Sequence, residues 1–157
     1  MKKNIIISML LILSIKVFAK TTSPQASPIF HQIIKNNPTI DKNYAVKLSS
    51  LIDKIHKVHK IDSKILTAML MQESSYKLNV LSKSNDYSIG QINIKTIKYY
   101  NFDKNRLLID LDYSINCTAQ ILKDLKKNYK EPNYWSRYNT SHKIKRKKYE
   151  QLVMRYM

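Results

Sequence analysis

Apolar residues recur along this chain at steps of three and four from Asp41 onward, which predicts helices with one buried face. Leu48, Leu51, Ile52, Ile55 and Val58 form one such stripe. A second helix opens at Asp62, a natural N-cap, with Ile61 before it and Leu66 placed to close a hydrophobic staple. It runs on through Ile65, Leu66, Met69 and Leu70. Lys77 to Tyr87 is polar and reads as a loop with room for a short hairpin, and a further helix is expected between Gln91 and Tyr100. Ile115, Ala119, Leu122, Leu125 and Tyr129 mark another, opening near Asp110 or Asp112 and ended by Glu131-Pro132. A last amphipathic helix starts at about Ile144 and carries Tyr149, Leu152, Val153 and Tyr156. The fold expected is mainly α, one domain over 41–157.

Two stretches precede that domain. Lys2 and Lys3, an apolar run from Ile5 to Ile15 and the Val17-Phe18-Ala19 ending give residues 1–19 the form of a cleaved signal peptide. The run is short of the roughly 20 residues that span a bilayer. Residues 20–40 hold Pro24, Pro28 and Pro38 among Ser, Thr and Asn, and are expected to be a flexible N-terminal segment. The mature chain is therefore expected in the periplasm or secreted, as a monomer without a membrane span.

Composition narrows the chemistry. In 157 residues there is one glycine, too few for a dinucleotide or Walker loop, and one cysteine, too few for a disulfide scaffold or a CxxC pair. His56 and His59 share a helix face, but no third ligand pattern and no HExxH accompany them, so no metal or other cofactor is implied. The net charge is +17, or +14 once Lys2, Lys3 and Lys16 are removed, and Lys143 to Lys148 form a basic run. Such a balance suits nucleic acid, a membrane surface or an anionic envelope polymer. Only four of the 28 basic residues are arginines, however, and base and phosphate recognition leans on Arg. The excess of Lys, Ile and Asn has the look of a genome-wide bias.

Of the three glutamates, Glu131 adjoins a proline and Glu150 lies in a basic helix, so both read as solvated. Glu73 falls four residues after Met69, seven after Leu66 and eight after Ile65, on the apolar stripe near its helix's C-terminus. Burial and the helix dipole both disfavour a carboxylate there, which suits a general acid for glycosidic cleavage as well as a merely hydrogen-bonded buried glutamate.

The surrounding segments are Met71-Gln72-Glu73-Ser74-Ser75-Tyr76, then Ser84 to Asn93 (SNDYSIGQIN), then Trp135-Ser136-Arg137-Tyr138-Asn139-Thr140-Ser141. In this order they resemble the lytic transglycosylase family of the lysozyme-like superfamily, and most closely the small members that accompany secretion, conjugation and pilus machines. The resemblance covers about residues 45–157. It implies that Glu73 is the sole acid/base and that Ser74 helps to hold its carboxyl group. Gln91 and Asn93 would lie along a sugar groove, with Tyr138 and Asn139 opposite Glu73. Asp86-Tyr87-Ser88-Ile89 also resembles the segment of animal-type lysozymes that carries a second carboxylate, which places Asp86 and Tyr87 at the substrate. Ser88 stands where the family has a glycine and Gly90 where it has Met or Phe, which implies a wider groove floor near Gly90. Thr140 and Ser141 replace the family's small-residue ending.

The implied substrate is peptidoglycan, cut between N-acetylmuramic acid and N-acetylglucosamine with 1,6-anhydro ring closure. The competing readings are a hydrolytic lysozyme using Glu73 and Asp86, and an idle murein-binding protein that keeps the fold. A third is a cationic binder of nucleic acid or membrane surfaces.

Overall fold

The computed structural model describes residues 27–157. The expected signal peptide, and residues 20–26 of the expected flexible segment, lie outside the described residues. From Ser27 onward that segment is ordered instead. Helix α1 (Pro28–Asn36) begins where Ser27 Oγ accepts from the Ile29 amide and Pro28 occupies the first turn, a position that needs no N–H. Ile29 and Ile33 go into the core, and Gln32 and Asn36 donate to the Tyr156 carbonyl, both at 2.8 Å. A proline that reads as a loop marker thus starts a helix that ties down the C-terminus.

Helices α2 (Lys42–His59) and α3 (Ser63–Ser74) follow the two predicted stripes, capped by Asp41 and Asp62. Asp62 Oδ1 accepts from the Lys64 and Ile65 amides at 2.8 and 3.2 Å, with Ile61 and Leu66 fully buried beside it. Val58 breaks the expectation: it is 64% exposed, although Ile55 and Ile61 on either side of it are buried.

A two-stranded antiparallel sheet comes next, β1 (Asp86–Tyr87) on β2 (Ile92–Asn93), pairing Asp86 with Asn93 and Tyr87 with Ile92. The hairpin thus spans 86–93, at the end of the loop predicted to hold it and beyond. Helix α4 (Ile94–Tyr100) is capped by Asn93, and α5 (Lys104–Ile109) is a short helix the sequence pattern did not announce. The long α6 (Leu111–Asn128) starts from an Asp110 cap, a 3₁₀ turn covers Tyr134–Tyr138, and α7 (Lys143–Met154) closes the chain.

Helix α6 runs through the middle, against α2, α5 and the 3₁₀ turn, while α3 lies between α1 and α7. Ile33, Leu48, Ile52, Leu66, Met69, Ile115, Leu122 and Val153 fill the main core, together with Trp135. A smaller cluster under the hairpin holds Ile92, Ile97, Leu107, Cys117 and Ile121. Tyr134 and Trp135 are therefore core residues, whereas Tyr99 is 84% exposed and Tyr100 stacks on Phe102. Cys117 is buried and unpaired, and burial pushes its thiol up to about 11. No helix among the described residues is long and apolar enough to cross a membrane. The architecture is mainly helical with one small hairpin, consistent with the lysozyme-like fold.

Candidate active site

Three elements converge on the carboxyl group of Glu73. The first is its own helix. Glu73 is the penultimate residue of α3, and the helix stops there by a left-handed turn without glycine, with Ser75 at φ 54° and Tyr76 at φ 67°. The amides of Ser75 and Tyr76 turn back onto Met71 and Leu70. The helix end therefore presents Glu73 at the edge of the core rather than continuing past it.

The second element is α7, whose buried Tyr149 donates its hydroxyl to Glu73 Oε1 at 2.5 Å. Tyr149 packs on Trp135, ring centroids 6.4 Å apart. Its hydroxyl and that of Tyr138 are both pushed well above a phenol's ordinary value, chiefly by burial, so both remain protonated donors.

The third element is the hairpin. Asp86 carries the nearby charge, but its own oxygens are engaged: Oδ2 accepts from Ser82 Oγ at 2.8 Å and Oδ1 from Asn93 Nδ2 at 2.7 Å.

These surroundings set the acidity of Glu73. Burial raises its pKa from the ordinary 4.5 to about 7; the Tyr149 hydrogen bond pulls it down and the Asp86 charge pushes it up, both by less than burial does. At neutral pH the group is thus divided between acid and carboxylate, able to give a proton and take one back.

Glu73 lies between two depressions. A cavity of about 300 Å³ on the hairpin side is lined by Glu73, Asp86, Gln91, Ile92, Asn93, Thr96, Ile121, Tyr138 and Asn139. A second, of about 330 Å³, lies toward α7 and shares Glu73 and Asn139 with the first. Six of the eight residues singled out from the sequence therefore meet at one cleft. Ser74 and Tyr87 are not among its lining. Ser74 Oγ does not hold the Glu73 carboxyl; it donates to the carbonyls of Leu70 and Ile89, at 3.3 and 2.9 Å, fastening the end of α3 to the hairpin loop. Tyr87 packs against the smaller core cluster.

Gln91 and Asn93 also do more than line a groove. Gln91 Nε2 donates to the Ser88 carbonyl at 2.8 Å, and Asn93 Oδ1 caps α4. Nothing in the sequence marks Tyr149 as a site residue, because its spacing is that of an ordinary core position on α7. Glu131 lies at the surface, as expected, but is engaged there: its Oε1 accepts from both Arg137 and Arg146, joining the 3₁₀ turn that carries Tyr138 to the helix that carries Tyr149.

The hairpin loop departs from the expected wider floor. Tyr138 donates its hydroxyl to the Gly90 carbonyl at 2.7 Å, and a Cβ on Gly90 would lie 2.1 Å from Thr118 Oγ1. The space a larger side chain would take is filled by Thr118 and Tyr138 rather than left open. Ser88 adopts φ 69°, the backbone a glycine favours, and its buried hydroxyl is paired with Ser114 Oγ at 2.6 Å. His56 and His59 bond to different partners, the Ile61 carbonyl and Asn116, and no group of three His, Cys, Asp or Glu side chains among the described residues is placed to hold a metal.

A cleft with one desolvated carboxylic acid, braced by a buried tyrosine and floored by a hairpin loop, can deliver a proton to the bridging oxygen of a glycan. Comparison with curated proteins and with solved structures gives no match. The family model described as "Transglycosylase SLT domain" matches residues 50–152, a span that contains Glu73, the hairpin, Tyr138 and Tyr149, and the chain belongs to that family, whose members are lytic transglycosylases acting on peptidoglycan.

Proposed function

We propose that this chain cleaves the β-1,4 bond between N-acetylmuramic acid and N-acetylglucosamine without water, leaving 1,6-anhydro ends. The observation that carries the reading is the Glu73 carboxyl group, desolvated, held by Tyr149 and poised at about 7 where it lines two neighbouring depressions. Glu73 gives its proton to the bridging oxygen, so that N-acetylglucosamine departs with a free 4-hydroxyl. The muramyl 2-acetamido group stabilises C1 meanwhile, a substrate-assisted route that dispenses with a second catalytic carboxylate. The Glu73 carboxylate then takes the proton of the C6 hydroxyl as O6 bonds to C1. The acid is regenerated and no atom is gained or lost.

Asp86 is auxiliary in this scheme. Both its oxygens serve the loop, through Ser82 and Asn93, and its charge favours the protonated form of Glu73. The hydrolytic alternative would make Asp86 the partner carboxylate. Digestion of purified murein, read by mass, separates the two: anhydro ends are one water lighter than reducing ends. Anhydro ends are expected from the wild type and from Asp86→Asn, and no release from Glu73→Gln. Reducing ends lost in Asp86→Asn would overturn the scheme, and undiminished clearing by Glu73→Gln would overturn the acid itself.

The same reading makes the protein exported, through residues 1–19, to act in the periplasm or outside the cell. There it opens the wall locally for a secretion or conjugation machine. The signal-like character of residues 1–19 supports the address, and the resemblance of the segments around Glu73, the hairpin and Tyr138 to the small members that accompany such machines supports the role. Fractionation of cells carrying the tagged full chain tests the address, a cytoplasmic pool of uncleaved protein counting against it.

A further inference from the structure

The basic run on α7 divides into separate uses once it is folded. Arg146 is bound to Glu131. Lys143 and Lys147 border a groove on the side of α7 away from Glu73. Lys145 and Lys148 line the depression that contains Glu73, together with Gln72, Asn139, Tyr149 and Leu152. Their spacing explains this: 145, 148, 149 and 152 follow helical steps of three and four, so the face that brings Tyr149 to Glu73 brings both lysines with it. Both are exposed, and neither takes part in an ion pair among the described residues. Apart from Glu73, which both depressions share, the depression on the hairpin side carries the opposite sign, through Asp86, and otherwise offers neutral side chains. The surface around Glu73 is thus electrostatically polar from one depression to the other.

We infer that Lys145 and Lys148 form a carboxylate-binding subsite for the muramyl side of the strand. The inference rests on the reading of Glu73 as an acid acting on murein. A strand whose scissile bond lies at Glu73 extends both ways from it, and so covers both depressions. Every muramyl ring bears a 3-O-lactyl group, which ends in a carboxylate when bare and in a peptide with carboxylates of its own when substituted. Either source places negative charge a short distance from the ring, where two unpaired ammonium groups stand. The lysines therefore set a preference for charged strands over neutral ones, acting mainly on KM.

The test compares three substrates with the full mature chain: peptide-bearing strands, strands stripped by an amidase so that the lactyl carboxylate is bare, and stripped strands whose carboxylates have been coupled to methylamine. The wild type is expected to favour charged over neutralised strands by about tenfold in kcat/KM, the scale of two exposed ion pairs, with the preference shrinking as salt is raised. In Lys145→Gln/Lys148→Gln the ratio collapses toward one, and Lys145→Arg/Lys148→Arg restores it. A preference retained after stripping assigns the contact to the lactyl carboxylate, and one lost on stripping assigns it to the peptide; either supports the subsite. A wild type indifferent to charge, or a ratio unchanged in the glutamine variant, overturns it. Failure of the underlying reading would look different: the wild type would cut none of the three.

Discussion

Replacing Tyr149 with phenylalanine removes one hydroxyl group and leaves the ring that packs on Trp135. The consequence falls on Glu73 Oε1, which loses its donor. A hydrogen bond to an ionised carboxylate is worth about 1.5–3 kcal/mol, against about 0.5–1.5 kcal/mol for a neutral acceptor. The difference, about 1 kcal/mol or somewhat more, favours the carboxylate in the wild type and vanishes in Tyr149→Phe. The pKa of Glu73 starts at about 7 and should therefore rise by roughly 1 pH unit, since 1.36 kcal/mol corresponds to one unit.

In the proposed scheme Glu73 works first as an acid, so activity is held below that pKa and falls as pH climbs through it. The alkaline limb of kcat/KM, which reports the free enzyme, is then expected to move upward in the variant. At pH 5, where both enzymes carry a protonated Glu73, the variant should be slower by several-fold because its carboxyl group is no longer held in place. Turbidity loss of a murein suspension between pH 5 and 9 supplies the profile. A limb that stays put or moves down would refute the assignment of Tyr149 as the group that tunes this acid.

Glu73 should also be visible in stability. Its pKa is raised on folding, so the stability it contributes is complete below about 4.5 and lost as pH rises to about 7, by about 3 kcal/mol at most. The melting temperature of Glu73→Gln should accordingly gain several degrees on the wild type between pH 4 and 8, whereas parallel melting curves would mean a solvated carboxylate. Glu131→Ala should lower kcat by several-fold while the protein stays folded by circular dichroism, because the Arg137 and Arg146 contacts that join the Tyr138 and Tyr149 elements are lost. Unaltered kinetics would reduce that cluster to surface decoration. Gly90→Ala forces a methyl against Thr118 Oγ1 at 2.1 Å and should cost about 1–3 kcal/mol in urea unfolding, with Thr118→Ala recovering part of it. A silent Gly90→Ala would mean the loop has room to yield.

The legible and illegible parts of this fold differ in the range of the interactions that set them. Asp62, Ile61 and Leu66 announce the start of α3 because caps and staples act within one turn, and the placing of Glu73 on the apolar face follows from helical period alone. Its partner Tyr149 lies 76 residues away, and nothing local distinguishes a tyrosine that braces an acid from one that fills a core. Ser74 is where the motif puts it, but the choice between its own neighbour's carboxyl and the Ile89 carbonyl is decided by how the hairpin loop docks. Helix α1 was hidden because Pro28 is both a loop marker and a favoured first residue of a helix. The burial of Ile29 and Ile33, which decides between them, depends on α2 and α3 being in place. The contacts of Glu131 are illegible for the same reason, since both of its arginines come from beyond the proline that makes it look terminal.

The lone glycine carries the same lesson into the backbone. Seven described residues other than glycine hold a positive φ, among them Ser75, Tyr76, Ser88 and Gln91 around the cleft. Each such residue costs about 1–2 kcal/mol, a strain that persists only where the surroundings over-determine it. They do so here: the Ser75 and Tyr76 amides close the end of α3, Ser88 is clamped by Ser114, and Gln91 bonds back to the Ser88 carbonyl. Gly90 alone is reserved for a constraint no hydrogen bond can relieve, the absence of room for a Cβ beneath Tyr138 and Thr118. A dihedral preference can be overruled by contacts, whereas an overlap of atoms cannot. The single glycine in the chain accordingly sits where the hairpin loop meets the tyrosine that helps to enclose the acid.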